Sequence, residues 1–212
     1  MDAEKPIARQ ARALARDFYL ILAAWSALVA ASFFWYSWQA EKGVLENAKQ
    51  EARAILDRDN AYRRWLVEQG GVYVRPSDKL PGDPYLVHPH KDVVTRDGMR
   101  LTLLNPAFVL RQVQARQLDP QRGRSRIVSL APLNPDNAAD AWESQALDSL
   151  ADGLDRFEFL GSAEGEELRA LRPFFAAPPC LECHAAMRDG QLAGAITTRV
   201  PLAPYRETSR KA

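Results

Sequence analysis

The chain has 212 residues with 28 Lys and Arg against 27 Asp and Glu, a formal net charge of +1. That balance carries no basic stripe of the kind that grips nucleic acid and implies no strongly charged partner. A content of 47% hydrophobic and 26% charged residues is ordinary for a globular chain.

The first element is an N-terminal segment, residues 1–17, which we place in the cytoplasm. Phe18 to Trp38 follows as 21 residues without a charge, long enough to cross a bilayer as a helix. Trp35, Tyr36 and Trp38 stand at its far end, where aromatic rings favour the interface. A buried core helix is rarely apolar all round at this length. A cleaved signal peptide has a shorter apolar core and a small-residue cleavage site, and no clear A-x-A stands after Trp38. The run reads as an uncleaved transmembrane signal anchor. Charge leaves its orientation tied: Lys5, Arg9, Arg12 and Arg16 precede it, and Lys42, Lys49, Arg53 and Arg58 follow.

Residues 39–70 read as one long amphipathic coupling helix. Val44, Leu45, Ala48, Ala52, Ile55, Leu56, Tyr62, Trp65 and Leu66 recur at helical spacing, and Gly70-Gly71 ends it. Such a helix extends roughly 45 Å. Its apolar stripe serves either packing on its own domain or pairing with a second copy, so a homodimer through this helix is one expectation.

The remaining ~170 residues fit one domain, with its folded part at 71–203 and a polar tail at 204–212. Val72-Tyr73-Val74 is a strand, followed by a proline-rich loop. Thr95-Arg96-Asp97-Gly98 is a hairpin turn before a strand at Arg100–Leu104. Asn105-Pro106 opens a helix over Ala107–Gln117. Arg126–Leu133 reads as a strand, and Asp140-Ala141-Trp142-Glu143 is a capping box opening a helix to about Leu154. Phe157–Leu160, Glu167–Phe175 and the alternating Leu192–Val200 complete the strands. Their irregular separation predicts an α+β domain with a mostly antiparallel sheet and flanking helices, not repeated βαβ units.

Cys180-Leu181-Glu182-Cys183-His184 reads C-x-x-C-H and contains both cysteines of the chain. The pattern is the attachment site of a c-type haem: two thiols add to the haem vinyl groups, and the histidine is placed to ligate the iron. The same cysteines could form a disulfide, a thioredoxin-like redox pair or half of a zinc site. Zinc needs four ligands, which would require His88 or His90 from far away in sequence. A redox pair usually opens a helix after a βαβ strand, whereas Ala176-Ala177-Pro178-Pro179 precedes this one. Haem c, one per chain and covalently attached, is therefore the expected cofactor. Its attachment takes place outside the bacterial cytoplasm. That breaks the charge tie and places the domain on the periplasmic side of the inner membrane, in a single-pass topology.

His184 is the expected proximal iron ligand. His88, His90 and Met99 are candidates for the sixth position, with an empty or water-filled site as the alternative. Met187 lies too close to His184 in sequence to reach the opposite face. Arg63, Arg64 and Arg111 are candidates for haem carboxylates, although solvated arginines on helix faces are the commoner case. Trp65, Trp142 and Tyr73 read as core, and Asn134 and Asn137 as turn organisers.

Several blocks occur together in one order. They are Arg64-Trp65 with Gly70-Gly71-Val72-Tyr73-Val74; Leu103-Leu104-Asn105-Pro106-Ala107 with Arg111-Gln112; and Ser129-Leu130-Ala131-Pro132-Leu133-Asn134-Pro135-Asp136-Asn137 with Asp140-Ala141-Trp142-Glu143. Pro179 to His184 and Gly194-Ala195-Ile196 follow. Over roughly residues 45–200 the chain resembles a family of bacterial c-type-haem-binding sensory domains with a PAS-like fold, formerly a domain of unknown function. These domains often stand at the extracytoplasmic N-terminal end of histidine kinases. The resemblance implies a PAS-like sheet with haem beside it, and signalling rather than metabolism. Haem-thiolate coordination occurs in some members, but this chain has no third cysteine to supply it. The chain ends shortly after the domain. It is read either as a stand-alone anchored protein or as the input end of something longer.

The leading expectation is a membrane-anchored haem-c sensor of redox state or a diatomic gas, working through a signalling partner. The alternative is a membrane-tethered monohaem cytochrome with an electron-transfer partner. An enzyme is not expected: the chain has three histidines, no Ser/His/Asp arrangement and no paired carboxylates at useful spacing.

Overall fold

The computed structural model describes residues 4–117, 119, 121–149, 154–162 and 165–211. It divides into two compact units, Met1–Val44 and Leu45–Ala212. One helix, α1 (Glu4–Glu68), contributes to both. In the first unit this helix is long and apolar enough to cross a membrane, and no residue of 18–38 is buried.

In the second unit the α1 stripe is only partly as expected. Ala48, Ala52, Ile55, Leu56 and Leu66 are buried. Tyr62 and Trp65 are not: they lie 53% and 54% exposed, because the buried face turns away from them in the last turns of the helix. Gly70 and Gly71 end α1 as expected. Both have positive φ, at 69° and 94°, and the Gly71 N–H closes on the Leu66 carbonyl at 2.8 Å, the left-handed stop that favours glycine. A Cβ on Gly71 would lie 2.8 Å from the Leu104 carbonyl oxygen, so the chain enters its first strand pressed against the backbone at Leu104.

Strands β1 (Val72–Val74), β2 (Asp92–Val94) and β3 (Arg100–Leu104) form a small antiparallel sheet in the order β1-β3-β2. The Asp97-Gly98 turn joins β2 to β3, with Gly98 at φ 83°. Sequence reading missed β2, which has only three residues. The Asn105 side chain caps α2 (Pro106–Gln114) by accepting the Phe108 N–H at 2.8 Å, as its sequence predicts.

The larger sheet orders β4 (Arg124–Val128), β7 (Leu192–Pro201), β6 (Gly165–Phe175) and β5 (Arg156–Ser162), with every pair antiparallel. Strand β7 is buried from Gly194 to Thr198 and again at Val200. On one side Val128, Leu171 and Ala195 pack with Ala146 and Leu147 of α3 (Ala141–Ser149). From α1, Ile55 reaches Gly123 beside Val200, and buried Asp59 accepts from Gln114 and Ser125. The capping box of α3 forms in both directions: the Glu143 N–H donates to Asp140 and the Asp140 N–H to Glu143. The helix was expected to run to Leu154, but residues 150–153 lie outside the described residues.

Two expectations need correction. The strand expected over Arg126–Leu133 ends at Val128. Beyond it, Ser129 bonds to Asn137 and Ala139 instead of a ladder partner, and Pro132 has no N–H to give one. Tyr73 is 42% exposed and not core, because the three-residue β1 has one face open. The polar C-terminal stretch forms helix α4 (Ala203–Lys211), whose Tyr205 donates to Glu51 of α1.

Candidate cofactor cavity

Strand β6 ends at Phe175 and β7 begins at Leu192. The connection between them holds the C-x-x-C-H motif. Pro178–Glu182 form a short 3-10 turn, and the His184 N–H then bonds back to the Cys180 carbonyl at 3.0 Å. This tight turn sets both cysteines and the histidine along one wall of an open-mouthed cavity of about 170 Å³.

The other walls come from distant parts of the unit. Helix α1 supplies Arg63 and Leu66, the proline-rich loop supplies Asp83 and His88, and α2 supplies Arg111. The loop after β4, from Ala131 to Asn134, closes a further side. Asn134 is buried and accepts the Asp136 N–H at 2.9 Å, which makes it the turn organiser its position predicts. Sequence reading missed Asp83, whose carboxylate takes the Asn105 amide at 2.8 Å and the Tyr85 N–H at 3.0 Å. The Asp83-Pro84 step was the available signal for this turn.

The candidate residues sort clearly. Cys180, Cys183, His184 and His88 line the cavity, as does Met187. His90 and Met99 do not. His90 is exposed, with its backbone N–H on His88 and its carbonyl on the Tyr73 hydroxyl. Met99 sits in the hairpin, bonded to Thr95. Arg63 and Arg111 line the cavity; Arg64 is exposed and does not.

The electrostatics follow from burial. His184 is pushed below the ordinary imidazole value by desolvation, which favours the neutral, ligating form. Burial pushes the Cys183 thiol up, with the charges at Glu182 and Cys180 adding to it. Burial lowers the Arg63 guanidinium from its ordinary value; Cys180 opposes this and the neighbouring Arg64 adds to it. The Arg63 Nε is buried with no hydrogen-bond partner, while its guanidinium lies 4.3 Å from the Phe174 ring centroid.

The model of the Tll0287-like family (Tll0287) matches residues 40–201. The chain belongs to the Tll0287-like family. This bears out the membership drawn from the motif series. The crystal structure of the cyanobacterial heme-protein Tll0287 is similar over 74% of this chain and 95% of its own, at 15% identity and a TM-score of 0.45. No functionally curated protein matches.

No disulfide joins Cys180 and Cys183 in this structure, and among the described residues no three His, Cys, Asp or Glu side chains converge as a metal-binding group.

Proposed function

We propose that this Tll0287-like chain is a membrane-anchored, extracytoplasmic haem-c sensor domain responding to redox state or to a diatomic gas. One observation carries the reading: all three chemical groups of the C-x-x-C-H motif line a single, mostly apolar cavity, beside a buried guanidinium nitrogen that lacks a partner. A porphyrin fits that combination. Its macrocycle suits the apolar wall, its vinyl edge suits the two thiols, and its carboxylates suit the guanidinium.

Cys180 and Cys183 would hold the haem through thioether bonds, and His184 would ligate the iron as a neutral imidazole. When bound, the haem supplies a redox-active iron whose potential depends on its axial ligands and surroundings. Of the three sixth-ligand candidates, His88 is the one on the cavity wall, and we assign it that role. We read the four-stranded antiparallel sheet with its helices as the PAS-like core that the family resemblance implies. The apolar run of α1 serves as the single-pass anchor. The segment after it, with Tyr62 and Trp65 exposed, is the face through which a second copy would pair. A change at the iron becomes a signal if it biases a two-state element, and α1 is that element because Arg63 and Leu66 bring it to the cavity wall. The output passes to a signalling partner.

The test is a haem stain after denaturing electrophoresis of the chain expressed with the c-type maturation machinery. Haem retained by the wild type and lost from Cys180→Ala/Cys183→Ala establishes covalent attachment. A matured wild type without haem overturns the reading. Reduction, CO and NO are then compared by hydrogen exchange over residues 45–68. Protection that changes supports a sensor. Unchanged protection with fast electron exchange supports the membrane-tethered cytochrome instead.

A further inference from the structure

We infer that Arg63 and Arg111 form a carboxylate-binding wall of the cavity, and that its ligand is amphipathic and carries carboxylates. The identity of that ligand rests on the haem reading, with the two propionates as the carboxylates; the charge argument does not. Both residues line the cavity, Arg63 from α1 and Arg111 from α2. The Arg63 Nε is buried and makes no hydrogen bond. Stacking on Phe174 at 4.3 Å engages the face of its guanidinium and leaves that in-plane donor unsatisfied. Arg111 makes one long bond, 3.4 Å, to the Asn137 side chain and lies 5.3 Å from the Phe108 ring centroid.

Neither guanidinium pairs with a carboxylate among the described residues. Of the acidic groups on the wall, Asp83 accepts from Asn105 and the Tyr85 N–H, and Glu182 lies 3.7 Å from His88. Two permanent cations therefore line the cavity with no carboxylate among the described residues at ion-pair distance from either. Buried donors are normally satisfied, and leaving one unpaired costs its desolvation. A ligand carboxylate removes that cost, and the guanidinium fork matches it in charge and geometry. Because the two cations come from different helices, they would fix the ligand's polar edge, while Cys180 and Cys183 fix another part of it.

The full-length Cys180→Ala/Cys183→Ala chain is titrated with hemin and with hemin dimethyl ester, followed by Soret absorbance. Hemin is expected to bind about tenfold or more tightly than the ester, since only hemin offers charged acceptors. Arg63→Gln and Arg111→Gln should each narrow that ratio, and Arg63→Lys should keep part of it. Equal binding of the two porphyrins, or a ratio unchanged in both glutamine variants, overturns the inference while covalent haem in the matured wild type leaves the haem reading standing. If the double-cysteine variant takes up neither porphyrin, the midpoint potential of the matured chain decides. Loss of either arginine should lower it, because an uncompensated propionate favours the ferric state. Potentials that stay unchanged at every pH overturn the proposal. A matured wild type without haem overturns both readings.

Discussion

The backbone N–H of His90 donates to Nδ1 of His88 at 3.1 Å. With Nδ1 accepting, a neutral His88 carries its proton on Nε2, the atom 3.7 Å from the Glu182 carboxylate. Were His88 to hold an iron through Nε2, its proton would have to sit on Nδ1 and the His90 bond would open.

In the matured chain, His88→Ala should shift the Soret and visible bands and speed CO binding. His90→Ala and Met99→Ala should leave both as in the wild type, because neither side chain lines the cavity. A wild-type spectrum and CO rate in His88→Ala would remove His88 from the iron.

A second prediction concerns the scaffold behind the cavity. Glu143 is fully buried and takes Arg126 at 2.6 Å and Arg169 at 3.1 Å. Glu143→Ala leaves buried Arg169 short of a counter-ion and destroys the capping box. Breaking a buried pair from one side costs about 3–5 kcal/mol. Urea denaturation of the full chain in detergent should show a loss of that size, and a loss under about 1 kcal/mol would contradict the pairing.

Acid stability should depend on Asp140. Burial alone would raise its carboxyl, but hydrogen bonds from Arg169 and the Glu143 N–H, with the charges of Arg169 and Arg199, outweigh this and hold it below its ordinary value of 3.8. A carboxylate lowered by folding stabilises the native state above its unfolded value and loses that contribution as pH falls through the folded one. Asp140→Asn should therefore be less stable at neutral pH, with the deficit starting to shrink as pH falls below 3.8 and vanishing only below the lowered folded-state value. Parallel wild-type and variant curves across that range would rule this out.

The membrane assignment is tested by extraction. Phe18, Trp25, Phe33, Phe34 and Trp35 are all more than 60% exposed, a helix surface that water solvates poorly and lipid solvates well. The full chain should stay with the membrane fraction through alkaline carbonate. Leu28→Arg, which places a charge mid-span at a cost of about 2.5–3.5 kcal/mol, should release a measurable share. Complete release of the wild type would argue against an anchor.

Local signals in the sequence carried through to the structure with little change. Gly70-Gly71 stops α1 because each glycine can take positive φ. Asn105 and the Asp140/Glu143 pair cap their helices because short polar side chains satisfy free N–H groups at close range. Leu192–Val200 forms the strand expected there, although Gly194 to Thr198 are all buried and do not alternate. Features that depend on distant residues were not legible. The β2 strand exists because β3 pairs with it, and three residues hold no period to detect. Tyr62 and Trp65 share the helical spacing of buried neighbours, yet what packs against a stripe, and where it stops, is set by other elements.

The candidate site divides the same way. Composition and spacing alone selected Cys180, Cys183 and His184, since covalent haem attachment needs those groups within five residues and a tight turn delivers them together. The 21-residue apolar run was likewise determined by its own chemistry. Only the tertiary structure separated His88 from His90, two residues apart, by turning one toward the cavity and the other to solvent. Only it brought Arg63 and Arg111, 48 positions apart in sequence, to the same cavity with no carboxylate among the described residues at ion-pair distance from either. Charge balance over a whole chain says nothing about which charges are left unpaired; that is decided where the backbone carries each group.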